Sequence, residues 1–221
     1  MIIDLEQRII HEKDGLLVIN KPYDLPSTGR KLDDDDCLQY WLIQRHGGMV
    51  WAVHQLDADT SGVNIFVTEK KLVKYYKKML EKTQADKQYL AIVHGIPNWK
   101  KCEERGRIGK IDSRNLGIHP EGKAAHSKFE VLGSAKDCSL IRVRIFTGRT
   151  HQIRIHLSHL SHPLVGEEWY REPACTLHKR QALHCLKIHL PQTGETFTAP
   201  LAEDLNQLAQ SQALSQYIES T

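Results

Sequence analysis

The fold class of this chain is decided by a stretch near its middle, residues 127–148, which reads SKFEVLGSAKDCSLIRVRIFTG. Apolar and polar residues alternate in SKFEVLG (127–133) and again in SLIRVRIFTG (139–148). Such alternation is typical of antiparallel strands with one buried face. We therefore predict a hairpin of two half-buried strands, and the rest of the chain is interpreted outward from it.

Strand and helix patterns lie on both sides of this hairpin. Short β-rich runs predict further strands at residues 15–22, 63–70, 89–95 and 182–190. Apolar residues at helical spacing predict helices at residues 37–47, 72–80 and 201–218. The Asp33–Asp36 run is expected to open the first helix, because acids suit the positive end of its dipole.

The organisation of the chain indicates one domain. Residues 98–125 are rich in charges and glycine and predict a loop-rich excursion with one hairpin. No linker or repeat divides the sequence. We therefore predict a single α+β domain, residues 1–221, around a mixed, largely antiparallel sheet flanked by helices and loops.

Composition excludes several classes of protein. Of the 221 residues, 40% are hydrophobic and 26% are charged, as in ordinary soluble globular proteins. No apolar run approaches the roughly 18 residues of a membrane-spanning helix, and the acidic start is unlike a signal peptide. The five cysteines form no C-x-x-C pair, which fits reduced thiols. We expect a cytoplasmic protein.

Charge alone identifies no partner. The formal net charge of +3 permits a polyanionic ligand without requiring one. Seven lysines between residues 70 and 87 face only two acids in the same segment. A solvated helix face is the more common origin of such a run.

The segment HQLDADTSG (54–62) combines two carboxylates with a turn pattern. Asp, Thr, Ser and Gly often form a turn before a strand, because their side chains satisfy local backbone groups. A second interpretation is the aspartyl nucleophile of haloacid dehalogenase phosphatases, with the pattern D-x-D-x-T/V. That pattern fits poorly here, since Thr60 comes one position early and VHQL is not a continuous apolar strand.

Two further interpretations involve residues 151–162. His151, His156, His159 and His162 invite a metal site, but the spacing is not H-E-x-x-H and no cysteine or carboxylate stands at ligand spacing. We predict no metal. Alternatively, a carboxylate nucleophile needs a nearby guanidinium to stay ionised, and Arg154 in HQIRIH offers one.

Four segments belong together: DGLLVINKP (14–22), HQLDADTSG (54–62), KQYLAIVHG (87–95) and GRTHQIRIHLSHLSHPLVGEEWY (148–170). In this order they resemble the RluA-type pseudouridine synthases, which isomerise uridine in RNA. The segment ALHCLKIHLPQTGETFTAPL resembles the end of that catalytic domain. The resemblance covers most of the chain, and it implies a pseudouridine synthase fold with a long bent sheet and a central cleft.

The resemblance also assigns catalytic roles by position. Asp57 matches the catalytic aspartate, Tyr89 the tyrosine that stacks on uracil, and Arg154 the arginine paired with the aspartate. Asp59 falls where the family is permissive, so it is expected to shape the turn. Isomerisation involves no redox step or group transfer, and neither metal nor cofactor is implied.

Substrate-binding residues follow from the same resemblance. Arg149, His151 and Gln152 are expected to organise the active-site strand or to touch RNA, and Leu183 to form an apolar wall beside the uracil. Gln55 stands where the family usually has arginine, so it offers hydrogen bonds without charge.

The expected partner is structured RNA, either ribosomal or transfer RNA, and the expected state is a monomer. No small N-terminal RNA-binding domain of the S4 type is expected, because the NKP motif already lies near residue 20. The alternative from another class is an RNA-binding relative that has lost turnover, and Gln55 is its support.

Overall fold

The computed structural model describes residues 4–31, 34–82, 85–113 and 115–218. Within these ranges the strands are β1 (Ile9–Lys13), β2 (Leu16–Lys21), β3 (Trp51–Ala52), β4 (Ser61–Val67), β5 (Asp86–His94), β6 (Lys101–Glu104), β7 (Ile108–Lys110), β8 (Leu116–Ile118), β9 (Ser127–Ala135), β10 (Cys138–Ile145), β11 (Leu183–Leu190) and β12 (Glu195–Thr198). The helices are α1 (Leu38–His46), α2 (Lys70–Glu81), α3 (Gln152–His159) and α4 (Glu203–Ser211). None of the helices in this described part of the chain has the length and apolarity that crossing a bilayer requires.

The chain divides into two compact units. Unit 1 comprises residues 1–86 and 185–200, and unit 2 comprises residues 87–184 and 201–221. In unit 1 the strand order is β1-β2-β4-β11, with β3 beside β4 and β12 beside β11. In unit 2 it is β5-β10-β9-β6, with a separate β7-β8 hairpin. The predicted α+β class with a mixed, largely antiparallel sheet is confirmed, whereas a single domain stays a prediction.

The core of unit 1 lies between α1 and the strands β2 and β4. Leu38 and Leu42 of the helix cluster with Leu17, Ile19 and Phe66 of the strands, and all five side chains are buried. Every residue of β4 is buried, so this strand is covered on both faces and is not half-exposed. A strand of that kind carries no inside-outside alternation.

The start of α1 differs from the prediction. The Asp34 carboxylate accepts backbone N–H groups of Arg30 and Lys31, within the preceding loop. The helix begins only at Leu38, and its first turn contains no acid. The prediction that the acidic run opens the helix is therefore wrong for Asp34, while Asp33 lies outside the described residues.

Unit 2 is built on the predicted hairpin. β9 and β10 pair antiparallel, with Phe129 opposite Val143 and Lys128 opposite Arg144. The predicted hairpin within residues 98–125 is β7-β8. The same segment also contains β6, which pairs with β9 and was not predicted. Leu205 and Leu208 of helix α4 belong to the same buried cluster as Cys138 and Leu140 of β10.

Candidate active site

The loop that carries Asp57 is fastened within unit 1 by buried side chains. Ser27 Oγ accepts the N–H of Leu56 at 2.9 Å and lies 2.8 Å from Oδ1 of Asn64. Asn64 Nδ2 in turn donates to the carbonyl of His54 at 3.0 Å. These bonds fix the backbone that leads into Asp57.

Lys21 fastens the same loop on the other side of Asp57. Its side chain is 0% exposed, and Nζ donates to the carbonyls of Pro22 at 2.8 Å, Leu25 at 2.6 Å and Ala58 at 2.8 Å. Three donors on an ammonium match three carbonyl acceptors, which compensates the cost of burying the charge. Lys21 therefore links the NKP motif to the residue that follows Asp57.

The Thr-Ser-Gly part of the motif shapes the turn after Asp57 and the start of β4. The N–H of Thr60 donates to the carbonyl of Asp57 at 3.0 Å, which closes a turn of the type expected for these residues. Gly62 has φ of 108°, and a Cβ there would collide with the backbone of Cys185. Only glycine fits this position, so the glycine of the motif allows β4 to approach β11.

Lys21→Met is expected to lower the free energy of unfolding by at least about 2 kcal/mol, because each buried carbonyl left without a donor costs about 1 to 3 kcal/mol. Urea denaturation measures this change. Lys13→Met is the matched control, because Lys13 is an exposed lysine of the neighbouring strand β1. Equal stability of the two variants would contradict the anchoring role of Lys21.

Unit 2 carries the two other predicted catalytic residues. Tyr89 lies in β5 directly opposite Val143 of β10, and its side chain is 6% exposed. Arg154 lies in α3 and is 5% exposed. Leu183 begins β11 and is also buried. Its role as a wall beside the uracil stays a prediction.

Arg154 forms a buried ion pair with Glu167. Its Nε lies 2.9 Å from Oε2 and its terminal nitrogen 2.7 Å from Oε1 of the carboxylate, which is the strong two-bond geometry of arginine and carboxylate. Glu167 is 0% exposed. Burial favours the protonated acid, but the hydrogen bonds and charge of Arg154 prevail and hold the pKa of Glu167 below its ordinary value.

Two aromatic residues complete this cluster. Glu167 Oε1 also accepts the backbone N–H groups of Trp169 at 3.0 Å and Tyr170 at 3.3 Å. The guanidinium carbon of Arg154 lies 5.2 Å from the centroid of each ring, within the range of cation–π attraction. Tyr170 Oη and His151 Nδ1 form a hydrogen bond of 2.7 Å. Sequence reasoning did not find Glu167, Trp169 or Tyr170 as site residues.

The stretch before Arg154 is not a strand. Gln152 opens helix α3, preceded by His151 in the left-handed conformation with φ of 54°. The expectation that Arg149, His151 and Gln152 organise the active-site strand or touch RNA stays a prediction. The Arg149 side chain donates from Nε to the carbonyl of Ala124 at 2.9 Å.

The buried side chain of Gln152 forms hydrogen bonds with neighbouring protein groups. Its Oε1 accepts Thr147 Oγ1 at 2.7 Å and the N–H of Arg149 at 3.1 Å. Its Nε2 donates to the carbonyl of His126 at 3.0 Å and to Ser127 Oγ at 2.9 Å. The side chain amide is thus fully used, which favours an organising role over contact with RNA.

Gln55 is exposed on the Asp57 loop. Its Nε2 donates to Thr28 Oγ1 at 2.7 Å, so the amide joins this loop to the one that follows β2. Its predicted contact with RNA stays a prediction, as do those of Arg149 and His151.

Two of the four clustered histidines, His156 and His162, form hydrogen bonds with other groups of the protein. His156 bonds Ser127 Oγ and the carbonyl of Gly106, each at 3.0 Å, and burial lowers its pKa. His162 Nδ1 lies 3.0 Å from the carbonyl of His94. Across the described ranges, no group of three or more His, Cys, Asp or Glu side chains is arranged to hold a metal ion.

The predicted site residues fall into two groups. Unit 1 holds Gln55 and Asp57. Unit 2 holds those that remain, which are Tyr89, Arg149, His151, Gln152, Arg154 and Leu183. The pairing of Asp57 with Arg154 stays a prediction.

Known proteins resemble this chain in sequence. The pattern of the RNA pseudouridylate synthase family matches residues 15–159. Ribosomal large subunit pseudouridine synthase D of Haemophilus influenzae is 31% identical over 230 residues, covering 90% of this chain and 69% of that protein. An RNA pseudouridine synthase of Bacillus subtilis described as uncharacterized is 33% identical over 219 residues, covering 93% of this chain and 72% of that protein.

A solved structure resembles the chain in fold. The human protein RNA pseudouridylate synthase domain containing 4 superposes with a TM-score of 0.79 and 22% identity, covering 95% of this chain and 94% of that one. At this identity the superposition supports the fold, while the sequence matches support the family. The chain belongs to the RNA pseudouridylate synthase family and is an isomerase.

Proposed function

We propose that this enzyme converts uridine to pseudouridine in structured RNA, with Asp57 as the nucleophile. The observation that carries the proposal is the anchored loop around Asp57. Its neighbours Leu56 and Thr60 are buried, whereas Asp57 itself is half-exposed. A carboxylate on a backbone held from both sides is pre-positioned for a reacting atom.

The reaction breaks the bond between uracil N1 and ribose C1′ and forms the bond between uracil C5 and the same C1′. The proton on C5 is lost to solvent and N1 gains a proton, so no other reactant is consumed. In this proposal Tyr89 stacks on the uracil, Arg154 stabilises the charge of the Asp57 carboxylate, and Leu183 bounds the pocket.

The names of relatives guide the choice of RNA. Because several are named as synthases of the large ribosomal subunit, we propose large-subunit ribosomal RNA as the substrate, ahead of transfer RNA. The uridine must be unpaired or flipped out of its helix, at a cost of a few kcal/mol. Such a substrate places the enzyme in the cytoplasm, and the proposal requires no metal, cofactor or partner chain.

Tritium release tests the proposal directly. Large-subunit RNA labelled with tritium at uracil C5 is incubated with the enzyme, with and without a chelator. We expect release in both cases. RNA binding without release would favour the impaired relative that Gln55 supports, and release of inorganic phosphate that depends on magnesium would favour the phosphatase.

Gln55→Arg is expected to tighten RNA binding and to steepen its salt dependence, because one added phosphate contact changes the slope of log K against log salt by about 0.7 to 0.9. The measurement is a binding titration at several salt concentrations. Gln7→Arg adds the same charge at another exposed glutamine of unit 1. The same small change in both variants would show that position 55 does not contact RNA.

A further inference from the structure

We propose that the indole of Trp169 is a stacking platform for an unpaired RNA base beside the target uridine. The inference rests on the proposed function, because it takes RNA as the ligand. Trp169 is 67% exposed, the highest fraction among the large apolar side chains of the described residues. Tryptophan is ordinarily largely buried, so this exposure calls for a ligand.

The exposed ring is nevertheless held in place. The guanidinium of Arg154 lies 5.2 Å from the indole centroid, and the His151 ring lies 5.1 Å away at an interplanar angle of 65°. The backbone N–H of Trp169 donates to the buried Glu167 carboxylate at 3.0 Å. A ring fixed before binding loses little conformational entropy when a ligand stacks on it.

The surroundings of Trp169 favour a nucleic acid base over an apolar protein segment. Its chain neighbours Glu168 and Tyr170 both carry polar groups, and Arg171 follows. A docking site for protein would instead need a contiguous apolar patch. Aromatic rings stack on any base, because every base has a π face, and Arg171, two residues along the chain, supplies a positive charge that suits a phosphate.

The position of the ring indicates which base it takes. Arg154 is the residue proposed to stabilise the carboxylate that attacks the target uridine, and its guanidinium carbon lies 5.2 Å from the indole centroid. A base stacked on Trp169 therefore belongs to a nucleotide next to the target. Stacking does not distinguish the four bases by hydrogen bonds, so this contact should hold the opened strand without selecting its sequence.

Intrinsic fluorescence tests the contact on the full-length protein. The probe is a single-stranded RNA of ten nucleotides that contains uridine. We expect RNA to quench the tryptophan fluorescence of the parent protein, and Trp169→Phe to lose most of this quenching while it keeps RNA affinity. Trp99→Phe is the matched control, because Trp99 packs against Phe129 and His162, and this variant should keep the quenching.

Affinity gives the second measurement. Trp169→Ala is expected to weaken binding about fivefold or more, the effect of losing one stacked base, whereas Trp169→Phe should restore most of it. With an abasic strand of the same length, the parent protein and Trp169→Ala should bind equally, because only phosphate contacts remain. Thermal unfolding checks that both variants are folded.

Three outcomes would overturn the stacking role. They are unchanged RNA affinity in Trp169→Ala, an equal loss on the abasic strand, and quenching that survives in Trp169→Phe. These measurements need no turnover, so they separate the two proposals. Trp169-dependent binding without tritium release would count against the proposed reaction alone.

Discussion

Asp57→Asn should abolish tritium release, lowering the rate at least about 10³-fold, because an amide of the same size is neither charged nor nucleophilic. RNA affinity should stay close to that of the parent protein. The loop would keep its shape, since Lys21 and Ser27 hold backbone groups on either side of position 57 and do not depend on its side chain. Tritium release and a filter-binding titration measure the two effects.

Asp59→Asn is the matched control for this prediction. Asp59 lies two residues along the same loop and is half-exposed like Asp57, so the substitution removes the same charge from nearly the same place. We expect it to retain most of the turnover. Activity lost in Asp59→Asn and kept in Asp57→Asn would reverse the assignment of the two carboxylates.

The fold elements whose periodicity is clearest in the sequence are those with one solvent-exposed face. In residues 127–131 of β9 and 141–145 of β10, buried residues alternate with more accessible ones, because antiparallel strands at a surface bury every second side chain. α2 buries Tyr76, Met79 and Leu80 and exposes its lysines, so its helical period is visible in the sequence. In both cases solvent on one side creates the pattern.

The parts that could not be predicted have a different environment. In α3 all six residues from Gln152 to Leu157 are buried, so the helix has no polar stripe. Its isoleucines at 153 and 155 alternate with polar residues and imitate a strand. β6 could not be predicted for a different reason. Its sequence KCEE is mostly charged, and it pairs with β9 at the edge of the sheet without an apolar pattern that would indicate a strand.

The residues of the candidate site also differ in how far the sequence alone can indicate them. Asp57 could be proposed from the sequence because the residues of the family motif around it, HQLDADTSG, are adjacent in the chain. Glu167 was missed because its importance comes from a contact with Arg154 across 13 residues. One signal was available, since a buried arginine requires an acidic partner. Two adjacent glutamates follow α3, however, and only the packing shows that Glu167 is buried and Glu168 exposed.

Arg154→Ala is expected to lower the free energy of unfolding by about 3 to 5 kcal/mol, because it leaves the Glu167 carboxylate buried without its guanidinium. It is also expected to abolish turnover and to affect RNA binding much less. Urea denaturation, tritium release and binding titration measure these three effects. A variant with parent-like stability would contradict the importance of the buried pair.

The stability loss should depend on pH. In the parent protein the pKa of Glu167 is lowered, so the pair stabilises the fold above the ordinary glutamate pKa, and this stabilisation is lost as the pH falls through the lowered value. In Arg154→Ala, burial without a partner raises the pKa of Glu167, and acid relieves the penalty by protonation. The stability difference between the two proteins should therefore be largest near neutral pH and should narrow as the pH falls through the raised pKa of Glu167 in the variant.

The double variant Arg154→Ala/Glu167→Gln separates the two roles of Arg154. Removing the buried charge along with its partner should recover part of the lost stability, because an uncompensated carboxylate no longer remains. If Arg154 acts on the reacting groups, turnover stays abolished even though the protein is again stable. Recovered turnover would instead show that Arg154 matters only by holding Glu167 and the chain around Trp169 and Tyr170, so the catalytic assignment would have to move to another residue.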